Sequence, residues 1–124
     1  MNVERISNPT EEEAMAENVL HQLEARIQND PSIGEKCRRK LSRLLPDLRQ
    51  ELSQLSMTHR EQAQNIAGLA RLSTDEAFGT ERNADRLKAS LERLKRSVEE
   101  FEKSHPRLVQ AVGALSNMLA SMGI

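Results

Sequence analysis

Apolar residues recur along most of this chain at spacings of three and four, which is the period of an amphipathic α-helix. The first run covers about residues 10–29 and has its stripe at Ala16, Leu20, Leu23 and Ile27. Thr10, followed three residues later by Glu13, predicts a capped helix start. Asp30 before Pro31 predicts the helix end, because a residue that precedes proline disfavours helical geometry.

The longest pattern covers residues 33–72. Its stripe repeats at alternating spacings of four and three, as in a coiled-coil seam, at Leu41, Leu45, Leu48, Leu52 and Leu55. Pro46 is expected to kink this helix, because proline removes one backbone hydrogen bond, and the same register then reaches the polar residues His59 and Gln62. A continuous helix of this length would span roughly 60 Å. Either the helix breaks, or another chain covers the part that projects.

Two further helices are predicted, at residues 81–104 and 106–121. The first of them has a heptad stripe at Leu87, Leu91, Leu94, Val98 and Phe101. The segment before it, residues 73–80, contains helix stop and start signals in Gly79 and Thr80. The last helix follows His105 and begins at Pro106, a position where proline is tolerated because its missing N–H would be unpaired.

The composition supports an all-α class. The chain has no Trp or Tyr and two Phe, whereas strands favour aromatic and β-branched residues. Ala, Leu, Glu, Arg, Lys and Gln, which dominate, are the best helix formers. We expect one domain, residues 1–124, folded as an elongated antiparallel helical hairpin or coiled-coil-like bundle of about four helices.

Charged side chains stop abruptly near the end of the chain, since none follows Arg107. Polar residues such as Gln110 and Asn117 argue against a membrane anchor, and an amphipathic helix that lies on a membrane usually carries several cations. A helix that is apolar on most sides is normally buried. We therefore predict no membrane partner and association between chains, most simply a homodimer. The predicted interface consists of Leu48, Leu52, Leu55, Ile66, Leu69, Leu108, Val112, Leu115, Leu119 and Met122.

A basic face is predicted at the start of the second helix, formed by Lys36, Arg39, Lys40 and Arg43. It has two interpretations: a site for the phosphates of nucleic acid or for an anionic surface, or a solvated face paired with acids such as Glu17 and Glu24. The net charge is −1, and no aromatic residue is available there for base stacking. These facts disfavour nucleic acid.

Little in the sequence indicates catalysis. Cys37 lies among cations, which favour a reactive thiolate, but it also falls in the helical stripe as a small apolar residue. His21, His59 and His105 lack the spacing of a metal site. We expect His59 to lie in the seam and His105 to cap or orient the turn at Pro106.

These observations predict a non-enzymatic interaction or scaffold protein with no catalytic residue, metal or cofactor. The alternative is a nucleic-acid or anionic-surface binder that uses the basic face Lys36–Arg43. The single cysteine argues against a secreted disulfide scaffold. Met1–Pro9 contains no apolar run typical of a signal peptide. We therefore expect a cytoplasmic protein.

The C-terminal part also carries a recognisable series of residues. Phe101-Glu102, His105-Pro106 and Leu108, with the final Met122-Gly123-Ile124, resemble the domain of unknown function DUF4404, a small uncharacterised bacterial family. The resemblance is close over the last 40 or so residues and is one of pattern over residues 14–55, with an apparent insertion at about 56–83. It implies a small helical protein and supplies no activity or catalytic residue.

Overall fold

The computed structural model describes residues 11–31, 33–78 and 83–122, with side chains from Ala16 onward, and confirms the all-α class. Within these ranges no strand occurs. Five α-helices and one 3₁₀ turn are formed: α1 Glu11–Asn29, α2 Glu35–Ser56, α3 Arg60–Phe78, α4 Ala84–Ser97, the 3₁₀ turn Glu99–Phe101, and α5 Pro106–Met122. The described part of the chain therefore contains five helices, where about four were predicted. The predicted cap Thr10 lies outside the described residues.

The helix predicted at 33–72 is two helices, because the chain breaks between Ser56 and Arg60. The break occurs although the segment contains neither glycine nor proline. The Leu55 carbonyl accepts the backbone N–H groups of Thr58 at 3.1 Å and His59 at 2.7 Å, which closes a tight turn. The alternative in which another chain covers a projecting helix is therefore not needed. Pro46, in contrast, lies inside α2, which continues past it.

The predicted interruption at residues 73–80 is misplaced, since α3 continues through Ser73 to Phe78. Hydroxyl residues weaken helices mainly by bonding to backbone outside the helical pattern. Here the Thr74 hydroxyl donates to the Ala70 carbonyl at 2.8 Å, four residues earlier, so it is satisfied within the helix. The predicted stop Gly79 and the predicted cap Thr80 lie outside the described residues.

The next helix, α4, begins at Ala84, three residues later than predicted. The side chain of Asn83 accepts the backbone N–H groups of Asp85 at 2.9 Å and Arg86 at 3.1 Å, so asparagine is the capping residue. The predicted helix 81–104 also ends early, at Ser97, and the 3₁₀ turn Glu99–Phe101 follows it. The start of α5 at Pro106 agrees with the prediction.

The middle of the bundle is α3, which packs against each of the other four described helices. Short side chains let neighbouring helices approach closely, because interaxial distance depends on the side chains at the contact. The buried residues of α3 are mostly small: Ala63, Ile66, Ala67, Leu69, Ala70, Ser73, Thr74 and Ala77. Larger leucines of α2 and α5 fill the surrounding space, and together they form one hydrophobic core.

Contacts at the two ends of the bundle show how several helices are oriented relative to one another. Arg26 near the end of α1 pairs with Asp75 near the end of α3. At the opposite end, His59 before α3 meets His105 before α5, with ring centroids 6.5 Å apart. Because α2 finishes just before His59, α2 and α5 run antiparallel. None of the described helices has both the length and the hydropathy needed to cross a bilayer.

Candidate functional site

The residues predicted as an interface lie almost entirely in the core of a single chain. Nine of the ten are between 0% and 7% exposed: Leu48, Leu52, Leu55, Ile66, Leu69, Leu108, Val112, Leu115 and Leu119. Only Met122 is half-buried. The physical reason is the turn after α2, which folds α3 back so that the chain covers its own stripe. These nine are therefore core residues in this fold, and any surface for a partner must lie elsewhere.

The four predicted anion-binding residues, Lys36, Arg39, Lys40 and Arg43, are all exposed on α2. The Arg39 Nε lies 3.8 Å from the Glu35 Oε1, one turn earlier. Glu24, which the sequence suggested as a partner for this face, instead lies 3.5 Å from the Nε of Arg49. Within the described residues, the remaining three cations form no ion pair.

A fifth cation of this segment, Arg38, has a structural role that the sequence did not indicate. Its Nε donates to the Ile27 carbonyl at 3.2 Å, and its Nη2 donates to the carbonyls of Asp30 at 2.6 Å and Ile33 at 3.2 Å. Its Nη1 donates to the Glu35 carboxylate at 3.0 Å. The last carbonyls of a helix lack intrahelical partners. Arg38 therefore caps the end of α1 and fixes the connection to α2.

The one cysteine of the chain, Cys37, is half-buried and packs against the hydrophobic core. It lies four residues before Leu41, on the buried side of α2. This position agrees with the interpretation of Cys37 as a small apolar residue of the helix stripe. Of the two cations beside it, Lys36 is exposed, whereas Arg38 is half-buried and bonded to the end of α1.

Two histidines and a phenylalanine meet at the end of the bundle where α2 turns into α3. The His59 ring lies 5.2 Å from the Phe101 ring, and the His105 ring lies 5.7 Å from it, both centroid to centroid. All three pairs are edge-to-face, the preferred geometry for aromatic rings. Sequence reasoning missed this contact because His59 is far from the other two residues along the chain.

The two histidines occupy equivalent local settings. Each precedes a helix and accepts that helix's first hydrogen bonds on its carbonyl: His59 from Ala63, and His105 from Leu108 and Val109. The His59 Nδ1 lies 2.8 Å from the Thr58 hydroxyl, and the His105 Nδ1 lies 3.0 Å from the Ser104 hydroxyl. His105 therefore lies directly before Pro106, and that it caps or orients the turn there stays a prediction.

What this cluster can do chemically is limited by its neighbours. Two imidazoles do not complete a metal site, which usually needs three or four protein ligands. In the described part of the chain, no group of three or more His, Cys, Asp or Glu side chains could hold a metal ion. The cluster is best described as a packing contact that joins the turn after α2 to the start of α5.

The most unusual surface belongs to α5. Its inward side is buried, with Leu108, Val112, Leu115, Ser116 and Leu119. Its outward side consists of exposed or half-buried residues without charge: Gln110, Ala111, Ala114, Asn117, Met118 and Ser121. This side continues into a groove of about 400 Å³ against α2, lined by Leu44, Asp47, Gln50, Glu51, Arg107, Gln110, Ala111 and Ala114. The sequence predicted a tail surrounded by protein, whereas one side of it is open in the single chain.

Comparisons with known proteins give one finding. The family model of the domain of unknown function DUF4404 matches residues 41–124. This range includes α3, α4 and α5, the histidine cluster and most of α2. It begins after the cations Lys36, Arg39 and Lys40. No curated protein and no solved structure matches the chain.

Proposed function

This chain belongs to the family of the domain of unknown function DUF4404, and we propose that it is a non-enzymatic helical interaction protein that self-associates, most simply as a homodimer. The observation that carries the proposal is the outward side of α5. That side has no charged residue from Gln110 to Ser121, in a chain of which 30% of the residues are charged. A surface without charge is suited to association, because charged residues are depleted at the cores of protein interfaces.

The exposed side of α4 differs in composition from the outward side of α5. The exposed residues of α4 include Arg86, Lys88, Glu92, Arg93, Lys95 and Arg96. Such a face is well solvated and resists association with other proteins, since charged residues are depleted at the cores of interfaces. Within one chain, α5 is thus the helix best suited to lie against a partner. Cytoplasmic and bacterial origin, suggested by the sequence, form part of this proposal.

The test is the solution mass over a range of concentrations. Light scattering with refractive-index detection suits a chain that has no Trp or Tyr. We expect the mass to rise from 14.0 kDa for one chain to that of two or more chains as the concentration increases. A constant mass of one chain, up to millimolar concentration, would contradict the proposal of self-association.

A second candidate function is binding of a polyanion, through the exposed basic face on α2. The observation that favours it is that Lys36, Lys40 and Arg43 form no ion pair within the described residues. Binding by such a face weakens steeply with salt, because counterions are released from the polyanion. A labelled DNA duplex titrated with protein at two salt concentrations tests this function, and absence of a salt-sensitive shift would reject it.

A further inference from the structure

The exposed strip of α2 changes the sign of its charge halfway along the helix. Lys36, Lys40, Arg43 and Asp47 follow one another at spacings of four, three and four, so they share one side of the helix. The first three are cations, whereas Asp47 and the neighbouring Glu51 are acids. None of these five side chains has a partner for an ion pair within the part of the chain that the structure describes.

This strip borders the uncharged side of α5. Asp47 and Glu51 line the groove between the two helices, opposite Arg107, Gln110, Ala111 and Ala114. Because α2 and α5 are antiparallel, the acids of α2 lie beside the first half of α5. The cations one to three turns earlier on α2 therefore lie beside its second half. One continuous face thus carries a charged strip, basic at one end and acidic at the other, and an uncharged strip next to it.

The face so defined is complementary to itself. Consider a twofold axis that lies in the plane of this face and crosses α5 at a right angle near Ala114. Rotation about this axis brings the faces of two copies together, with their α5 helices antiparallel. The same rotation lays the α2 helices antiparallel, so that the cations of each copy face the acids of the other. A contact of this kind is isologous, since each copy uses the same patch.

We infer that a second copy of this chain covers the face formed by α2 and α5, with the two α5 helices crossing antiparallel near Ala114. The inference rests on the proposed function and identifies both its partner and its surface. At the centre, Ala111 and Ala114 allow the helices to approach closely. Gln110 and Asn117 lie on either side of Ala114, so the amides of one copy meet those of the other.

A second copy explains the charge pattern better than a polyanion does. A nucleic acid that lay along the strip would meet Asp47 and Glu51 after the cations and would be repelled there. A second copy in the antiparallel arrangement meets opposite charges along the whole strip. Opposite charges placed across an interface fix its register and exclude wrong arrangements.

Charge reversal tests the arrangement directly. A basic variant carries Asp47→Lys and Glu51→Lys, and an acidic variant carries Lys40→Glu and Arg43→Glu. Each variant alone places like charges opposite each other. We expect the dissociation constant of each homodimer to increase about a hundredfold or more. An equimolar mixture should form a heterodimer, because the reversed strips are complementary again.

Restoration in the mixture also shows that the variants are folded, which circular dichroism checks independently. The matched control carries Glu61→Lys and Glu92→Lys, two exposed acids of α3 and α4 that lie off this face. It should associate as the unmodified chain does. As a second test at the centre of the face, Ala114→Glu should prevent association, whereas Ala89→Glu on the exposed side of α4 should not.

The outcomes separate the inference from the proposed function. If the unmodified chain is a dimer and both charge-reversed variants remain dimers of equal affinity, another surface is used and the inference is wrong, while self-association stands. If the unmodified chain is a monomer at every concentration, both are wrong. A monomer whose basic face binds DNA would overturn the inference in favour of the polyanion.

Discussion

The inward and outward sides of α5 differ in burial, although both belong to one segment without charge. Its inward side places Leu108, Leu115 and Leu119 in the core, each 0% exposed. Its outward side presents the half-buried Ala111, Ala114 and Met118 together with the exposed polar residues Gln110, Asn117 and Ser121. Neither side carries a charge between Gln110 and Ser121, but the two sides differ in polarity and in the size of their apolar residues. Large apolar residues stabilise a core, whereas alanine leaves a surface that a second helix can approach.

The inward side of α5 should therefore contribute to stability and the outward side to association. Variants on the two sides are best compared by urea denaturation, followed by far-ultraviolet circular dichroism. All should be measured at one protein concentration, because the stability of a self-associating chain depends on it.

The largest loss of stability is expected at Phe101, in the 3₁₀ turn that precedes α5, where the ring is buried and packs edge-to-face against the two histidine rings. Phe101→Ala should lower the free energy of unfolding by about 3–5 kcal/mol, because it removes a buried ring and leaves a cavity. Phe78, the other phenylalanine of the chain, is half-buried at the end of α3 and serves as the control. Phe78→Ala should lower the free energy of unfolding by clearly less. An equal loss in the two variants would mean that the contact of Phe101 with the two histidines adds no stability.

The second largest loss of stability is expected at the centre of α5. Leu115→Ala should lower the free energy of unfolding by about 2–5 kcal/mol, the usual range for a buried leucine. Asn117→Ala on the outward side, where the side chain is exposed, should cost less than about 0.5 kcal/mol in a dilute, monomeric sample. If both substitutions cost the same, the two sides of α5 would not differ in burial as described.

A smaller effect of opposite sign is expected at Ser116, which lies on the inward side. Its hydroxyl is buried and has no hydrogen-bond partner, so Ser116→Ala should raise the stability by about 1 kcal/mol by removing a desolvated polar group. Ser121 is the control, since its exposed hydroxyl donates to the Met118 carbonyl at 2.8 Å. A loss of stability in Ser116→Ala would show that this hydroxyl has a partner after all.

The smallest effect concerns Gly113, in the interior of α5. A Cβ added there would meet no atom within 4 Å. Gly113→Ala should therefore raise the stability by about 0.5–1 kcal/mol, because alanine loses less conformational entropy on helix formation. Gly68 in α3 has equally open surroundings, and Gly68→Ala should give a similar gain. A destabilised Gly113→Ala alone would indicate a close contact on α5 that one chain does not contain.

Local sequence signals predicted helix boundaries correctly where proline restricts the conformation of the backbone. The proline at position 106 marks the start of α5, and the Asp30-Pro31 pair marks the end of α1. The leucine stripes of α2 and α4 also identify buried positions correctly, because a period of three and four places those side chains on one side of a helix.

The same signals failed after α2, where the local sequence is equally compatible with a continuous helix and with a turn. Residues 57–59 contain no helix breaker, and the heptad register continues through them, so a long helix was predicted. The chain turns there because α3 can then place its small residues against four helices at once. That gain comes from contacts distant in sequence, which local propensity does not describe.

The candidate site was only partly predictable for the same reason. The cations at Lys36, Lys40 and Arg43 and the uncharged tail are visible in the sequence. That the side of α2 with these cations and Asp47 borders the uncharged side of α5 is decided by the packing of the two helices. The contact of His59 with His105 likewise depends on two turns that meet at one end of the bundle.

The helical class, the apolar stripes and the uncharged last helix can be read from the sequence, because they depend on propensity and on spacing within a turn or two. That the leucines predicted as an interface are buried within one chain is known only from the packing of the helices. An apolar stripe must be covered, but the stripe does not specify whether its own chain or another chain covers it. Here the turn after Ser56 lets the chain cover its own leucines and leaves the smaller residues of α5 at the surface.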